Sequence, residues 1–111
     1  MFITLSPVGE LVSSNIGQHF FLQSGVMKSE HPFTVIRNTS GVLEFGMRRV
    51  GGFWGEIDNK NIGDTVLVDG PYGTFTREAW STNKKVIISA GIGVTPFVDL
   101  VDRWGEGAIY I

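Results

Sequence analysis

The chain has no cysteine, and its 111 residues include only two histidines, His19 and His31. The absence of cysteine removes disulfide frameworks, thiolate nucleophiles, iron-sulfur ligation by this chain and zinc-ribbon sites together, and it fits a reducing compartment. Two histidines without clustered carboxylates give no metal site. Charge is scarce as well: charged residues make up 18% of the chain and the formal net charge is -2. The longest basic runs are the pairs Arg48-Arg49 and Lys84-Lys85. No basic stripe exists to neutralise phosphates, so nucleic acid is not an expected partner. Long apolar runs are missing too. Nothing approaches the roughly 20 residues that span a bilayer, and MFITLSPVGEL has no basic region ahead of its short apolar run, which reads against a secretory signal. The expected location is therefore cytoplasmic, with any membrane role reached through a partner.

Side-chain catalysis also lacks its parts. Ser89 lies in Ser89-Ala90-Gly91, which is not a GxSxG elbow, and no histidine follows it. Glu44, Glu56, Asp58 and Asp64 form no pair whose spacing argues for general acid-base work. By elimination, chemistry here is expected to be carried by a cofactor.

What is present is 42% hydrophobic residues, 12% aromatic residues and 15 glycines. Short β-branched and aromatic runs punctuated by glycine predict strands and turns over the first three quarters of the chain. Phe2 to Leu5 is a short extended run stopped by Ser6-Pro7. Phe20, Leu22 and Phe21 form a second strand after Gly17-Gln18, and Val26 to Glu30 is a polar connection. His31 to Arg37 continues as strand provided that Pro32 lies at its start or edge. From Val42 the alternation puts Leu43, Phe45 and Met47 on one face, the core face, and Glu44, Gly46 and Arg48 on the other. Gly51 to Gly55 interrupts this pattern, and Glu56-Ile57-Asp58 has room for one helical turn. Asn61 to Asp64 reads as a turn and Thr65 to Asp69 as a strand, ending in a turn at Gly70-Pro71-Tyr72-Gly73.

The composition changes near residue 81. Ser81 to Asn83 read as a linker, and Val86 to Ala90 as an unbroken apolar strand suited to burial on both faces of a parallel sheet. Gly91-Ile92-Gly93-Val94 then turns the chain, with Thr95 as N-cap and Pro96 at the first helical position. Phe97, Leu100, Val101 and Trp104 make one helical stripe, Gly105 ends it, and Gly107 to Ile111 starts another strand. Such a βαβ unit has an unfinished sheet edge, so further polypeptide or another chain is expected to complete it.

Three segments are candidates for chemistry, each with a plainer alternative. Gly91-x-Gly93 is either a phosphate-proximal loop ahead of a helix N-terminus or an ordinary strand-to-helix turn. The Gly70 to Gly73 segment is a turn, unless Tyr72 projects into a ligand cleft. In His31-Pro32-Phe33-Thr34, the histidine is either a strand residue without a role or a hydrogen-bonding partner for a phosphate, Phe33 is a core aromatic or a cofactor wall, and Thr34 is filler or a donor.

Taken together, Gly17-Gln18-His19-Phe20, His31-Pro32-Phe33-Thr34, GPYG at 70 to 73 and GIGVTP at 91 to 96 resemble the ferredoxin reductase-like flavoprotein family, especially its ferric-chelate reductase and NADPH oxidase branch. The resemblance implies a mainly β fold. Residues 1–80 would form a Greek-key antiparallel FAD-binding barrel without its usual first strand, and residues 84–111 the incomplete start of an α/β NAD(P)-binding domain. It implies FAD as cofactor and NAD(P)H as electron donor, with ferric chelate, haem or an acceptor protein taking electrons and a membrane partner domain in some members. Soluble NAD(P)H-flavin or ferredoxin/flavodoxin reductases, and a non-catalytic FAD-binding subunit, are the alternatives. By position, His31 would meet the cofactor's diphosphate or ribityl region, Pro32 beside it would be a further cofactor-binding residue, Phe33 would pack on the ring, and Thr34, the catalytic residue, would hydrogen-bond near flavin N5. Gly52, Phe53, Trp54 and Gly55 correspond to the stretch whose short helix receives the diphosphate, although the family usually has Ser or Thr where Gly55 stands. Tyr72, Gly91, Gly93, Thr95 and Pro96 would face the cleft where nicotinamide meets flavin.

Overall fold

The computed structural model describes residues 2–74, 85–98 and 108–110. The fold is mainly antiparallel β. β1 (Phe2–Leu5), β2 (His19–Gln23), β3 (His31–Thr39), β4 (Val42–Gly46) and β5 (Leu67–Tyr72) form one sheet in the order β1-β4-β3-β2-β5. β2, β3 and β4 follow one another as neighbours, whereas β1 passes over β2 and β3 to pair with β4. An α-helix, α1 (Gly52–Asp58), covers the core side. β6 (Lys85–Ile87) and β7 (Ala108–Tyr110) pair in parallel as a separate two-stranded sheet.

The core follows the alternation of the strands. Phe20 and Leu22 of β2, Val35 of β3, and Leu43 and Phe45 of β4 are all buried, as are Met47, Phe53 and Ile57. Phe20 meets Phe45 edge to face at 5.9 Å between ring centroids, the arrangement the ring quadrupoles favour. The expected core face Leu43, Phe45, Met47 is thus the observed one. β3 and β4 are joined by a two-residue loop, Ser40-Gly41, with φ of 51° and 89°. Two positive φ values make the primed turn whose twist matches that of the flanking strands, and the Asn38 Oδ1 accepts the Gly41 N–H at 2.9 Å.

Several boundaries differ from those expected. Helix α1 starts at Gly52, not Glu56, because Phe53 and Ile57, four residues apart, both reach the core and outweigh the poor helix propensity of Gly52 and Gly55. Its outer side is latched to the sheet by Ser24 Oγ, which donates to Glu56 Oε2 at 2.6 Å. The fifth strand runs from Leu67 and includes Gly70, Pro71 and Tyr72, so GPYG is strand and not turn through Tyr72. Pro71 is tolerated because β5 is an edge strand, opposite an irregularity in β2 between His19 and Phe21. Gly70, whose peptide bond to Pro71 is cis, lies against β2 so closely that a Cβ there would sit 2.7 Å from Phe20 Cδ1 and 3.1 Å from the His19 carbonyl oxygen.

The last quarter departs furthest. β6 ends at Ile87, and Val86 and Ile88 are exposed, so the apolar run is not buried on both faces. β7 is the only strand paired with β6 among the described residues. Thr95 and Pro96 are not the N-cap and first residue of a helix. Both lie inside a 3-10 helix, Gly91–Phe97, whose N-cap is Ala90 without a side-chain cap bond. The expected linker at 81–83, and Leu100, Val101, Trp104 and Gly105 of the expected helical stripe, lie outside the described residues.

Candidate functional site

A cleft of about 490 Å³ opens where two strands part. From His31 to Thr34, β3 pairs with β2, and β4 joins β3 only from Val35, opposite Phe45. Beyond Phe45 the chain of β4 therefore runs away from the first half of β3. Pro32, Phe33 and Thr34 line one side of the gap, while Gly46, Met47, Arg48 and Val50 line the other. Phe53 and Trp54 of α1 close one end, and Thr95 and Pro96 of the 3-10 helix complete the lining.

The position of Pro32 follows from the hydrogen-bond ladder. Val35 N–H donates to the Gln18 carbonyl at 3.0 Å, which makes Gln18 and Val35 a hydrogen-bonded pair. Counting back along the register, His19 opposite Thr34 and Phe21 opposite Pro32 are non-hydrogen-bonded pairs. An N–H at position 32 would point away from β2 toward the side where β4 has already left, so proline sacrifices no ladder bond. The side chains of His31 and Phe33 share one face of β3, and both meet Phe53, with ring centroids 5.1 Å and 5.0 Å away. His31 is not part of the lining. It stands behind Phe53, which is buried and holds the aromatic end of the cleft in place.

The walls are mostly apolar and aromatic, with the Thr34 and Thr95 side chains adding hydroxyls and Arg48 the single charge among the described lining residues. The Arg49 guanidinium lies 5.9 Å from the Trp54 ring centroid, within cation-π range. This combination suits a flat aromatic ligand carrying an anionic tail: rings and methyl groups for its faces, hydroxyls for a polar edge and a cation for phosphate.

The cleft thus brings together Pro32, Phe33, Thr34, Phe53, Trp54, Thr95 and Pro96 from three separate segments. It does not bring in Gly52, Gly55 or Gly91, which are absent from its lining, nor Tyr72, and the surroundings of Gly93 fall outside what the structure describes. Tyr72 sits on β5, beyond β2, packed against His19 at 5.9 Å and Phe21 at 5.6 Å. Its hydroxyl donates to the Asp69 carboxylate at 3.0 and 3.1 Å. That hydrogen bond, reinforced by the negative charge of Asp69, raises the phenol above its ordinary pKa. Sequence reasoning missed Gly46, Met47, Arg48 and Val50. The available signal was the alternation through Met47 and Arg48, which carries the β4 pattern past the end of the strand and toward the cleft.

No family model matches the chain. Individual proteins do. The chain is 28% identical over 99 residues, 89% of its own length, to probable respiratory burst oxidase homolog protein I of Arabidopsis thaliana, and covers 10% of that protein. It is 33% identical over 73 residues, 63% of its length, to the reductase component of propane 2-monooxygenase of Rhodococcus jostii, covering 20% of it. It is 27% identical over 95 residues, 80% of its length, to ferric/cupric reductase transmembrane component 7 of Saccharomyces cerevisiae, covering 15% of it. No helix among the described residues is long and apolar enough to cross a membrane. Its antiparallel β architecture and its low-identity, partial matches to oxidases and reductases are consistent with a ferredoxin reductase-like flavoprotein family.

Proposed function

We propose that the chain is the flavin-binding part of an NAD(P)H-dependent oxidoreductase, with residues 1–80 holding FAD and residues 84–111 beginning the nucleotide-binding domain. The observation that carries this reading is the convergence of Phe33, Thr34, Arg48, Phe53, Trp54 and Thr95 on one cleft. When bound, FAD supplies the redox chemistry, taking a hydride equivalent from a nicotinamide nucleotide and releasing electrons singly to ferric chelate, haem or another one-electron acceptor.

The residues of this chain bind, orient and shield. Phe33 and Trp54 exclude water from the ring faces. Thr34 would have the catalytic role: its Oγ1 is the hydroxyl that would hydrogen-bond the polar edge of a flavin held in the cleft. Arg48 offsets the charge of the diphosphate as a charge-assisted donor. His31 acts at one remove, by bracing Phe53. Thr95 and Pro96, on a segment distant in sequence, form the wall beside which the nucleotide approaches. Tyr72 lies outside this arrangement, so no cofactor contact is assigned to it.

A respiratory burst oxidase homologue and a ferric/cupric reductase among the relatives support an acceptor held by a haem-bearing membrane partner domain, with this chain at the cytoplasmic face. The monooxygenase reductase component supports a second reading, in which the acceptor is a soluble protein. Anaerobic absorbance titration of the FAD-loaded chain with NADH and NADPH separately tests the proposal. Bleaching of the oxidised flavin band by one nucleotide is the expected result. FAD binding without bleaching by either would reduce the chain to a non-catalytic flavin-binding unit.

A further inference from the structure

Gln18 is tied to three separate parts of the chain. Its backbone N–H donates to Asn15 O at 3.2 Å and its carbonyl accepts the Val35 N–H at 3.0 Å. Its side-chain Oε1 accepts the Asn15 N–H at 2.7 Å, while its Nε2 donates to Gly73 O at 2.9 Å. Both ends of the amide are therefore engaged, which fixes one rotamer of a half-buried side chain at the start of β2. The two long-range partners are informative. Val35 follows Thr34 directly, and Gly73 follows Tyr72.

Thr34 faces His19 in a non-hydrogen-bonded pair, so no backbone bond within the pair holds it. The flanking rungs do that, and the Gln18–Val35 rung stands at the very start of β2, next to the His19–Thr34 pair. Rungs at the start of a strand open more readily than those within it unless something anchors them. The strap from Gln18 to Gly73 is such an anchor, because it binds the start of β2 to the end of the neighbouring strand β5. Gly73 has φ +101°, and a Cβ there would lie 3.4 Å from His19 Nδ1, so the backbone of residue 73 rests directly on the Gln18–His19 segment.

We propose that Gln18 is a positioning residue for the cleft, holding Thr34 in register through the Val35 rung by strapping β2 to Gly73. This role rests on the flavin reading above. It also accounts for the end of the GPYG segment without placing it in the cleft: Gly73 is the anchor point of the strap.

The test uses the 111-residue chain with Gln18→Glu and Gln18→Leu, and Asn38→Ala as a comparison. Gln18→Glu keeps an acceptor for the Asn15 N–H but sets a carboxylate oxygen against the Gly73 carbonyl, while Gln18→Leu removes both bonds. Asn38→Ala removes bonds to Val12, Ser14 and Gly41 at the far end of β3. Unfolding midpoint, FAD dissociation constant and the shape of the bound flavin's visible band are measured for each, below the onset of unfolding. Both Gln18 variants are expected to weaken FAD binding about tenfold, which corresponds to about 1.4 kcal/mol, and to move the band toward that of free FAD. Asn38→Ala should lower the midpoint and leave affinity and band unchanged. If Gln18→Leu does not fold, Gln18→Glu alone decides. Wild-type affinity and band shape in Gln18→Glu would overturn the role, as would equal changes in Asn38→Ala, with the flavin reading intact. A wild-type chain that takes up no FAD would overturn both.

Discussion

The Tyr72 hydroxyl donates to both oxygens of Asp69, and the bond has a sign that can be checked. A carboxylate acceptor stabilises the protonated phenol, so the folded pKa lies above the unfolded value near 10. The bond's contribution to stability is therefore fully present below that value and is lost as pH rises through the folded pKa. Ultraviolet titration of the phenolate should show Tyr72 ionising later than an ordinary tyrosine, and Asp69→Asn should bring it back toward the ordinary range. An unchanged titration in Asp69→Asn would contradict the assignment. Gly70 is the second residue with a sharp expectation. A methyl group placed 2.7 Å from Phe20 Cδ1, at φ +149°, forces β5 away from β2. Gly70→Ala should cost about 2 to 5 kcal/mol, combining overpacking with backbone strain, read from the urea midpoint. A loss below about 1 kcal/mol would mean that β5 shifts more freely than its contacts suggest.

Among the elements, α1 depends most on a single polar contact. Ser24 is buried and its hydroxyl meets Glu56 at 2.6 Å, so Ser24→Ala should destabilise the chain by about 1.5 to 3 kcal/mol, as for hydrogen bonds to charged groups. Amide exchange at Gly55, whose N–H is bonded to Gly51 O, should quicken more than exchange at Phe45 in the sheet. The same helix shows what local sequence hides. Gly52 and Gly55 read as breakers, and only the distant core of Phe20, Phe45 and Met47 gives Phe53 and Ile57 a reason to line up on a helical face. The strand pattern Leu43-Phe45-Met47 was legible because period-two burial is a local signal. The start of β5 and its run through GPYG were not, since an edge strand's length is set by its neighbour. The motif at residues 31 to 34 pointed to three lining residues. Arg48 and Val50 came into view only once β4 was seen to leave β3, a divergence that no short window of sequence records.

At the scale of the molecule, a small core carries both the fold and the cleft. Phe45 is fully buried and meets Phe20 edge to face, so Phe45→Ala should cost about 3 to 5 kcal/mol. That is a large share of the roughly 5 to 15 kcal/mol that holds a domain together. Thermal unfolding should move down by more than ten degrees, and the cleft should be lost with the fold, because Met47 and Phe53 belong to the core cluster and to the lining alike. The parallel pair β6–β7 is separate from this core, and the exposed Val86 and Ile88 stand outside it. Flavin binding should accordingly depend on residues 31–54 far more than on residues 85–90. The most direct measurement is titration of the purified chain with FAD, followed in the visible band, for the wild type and for Phe33→Ala combined with Thr34→Val. Saturable binding with a shifted band in the wild type, weakened at least tenfold in the double variant while both remain folded, is the predicted result. No saturation in the folded wild type, or equal binding by the two, would contradict the account.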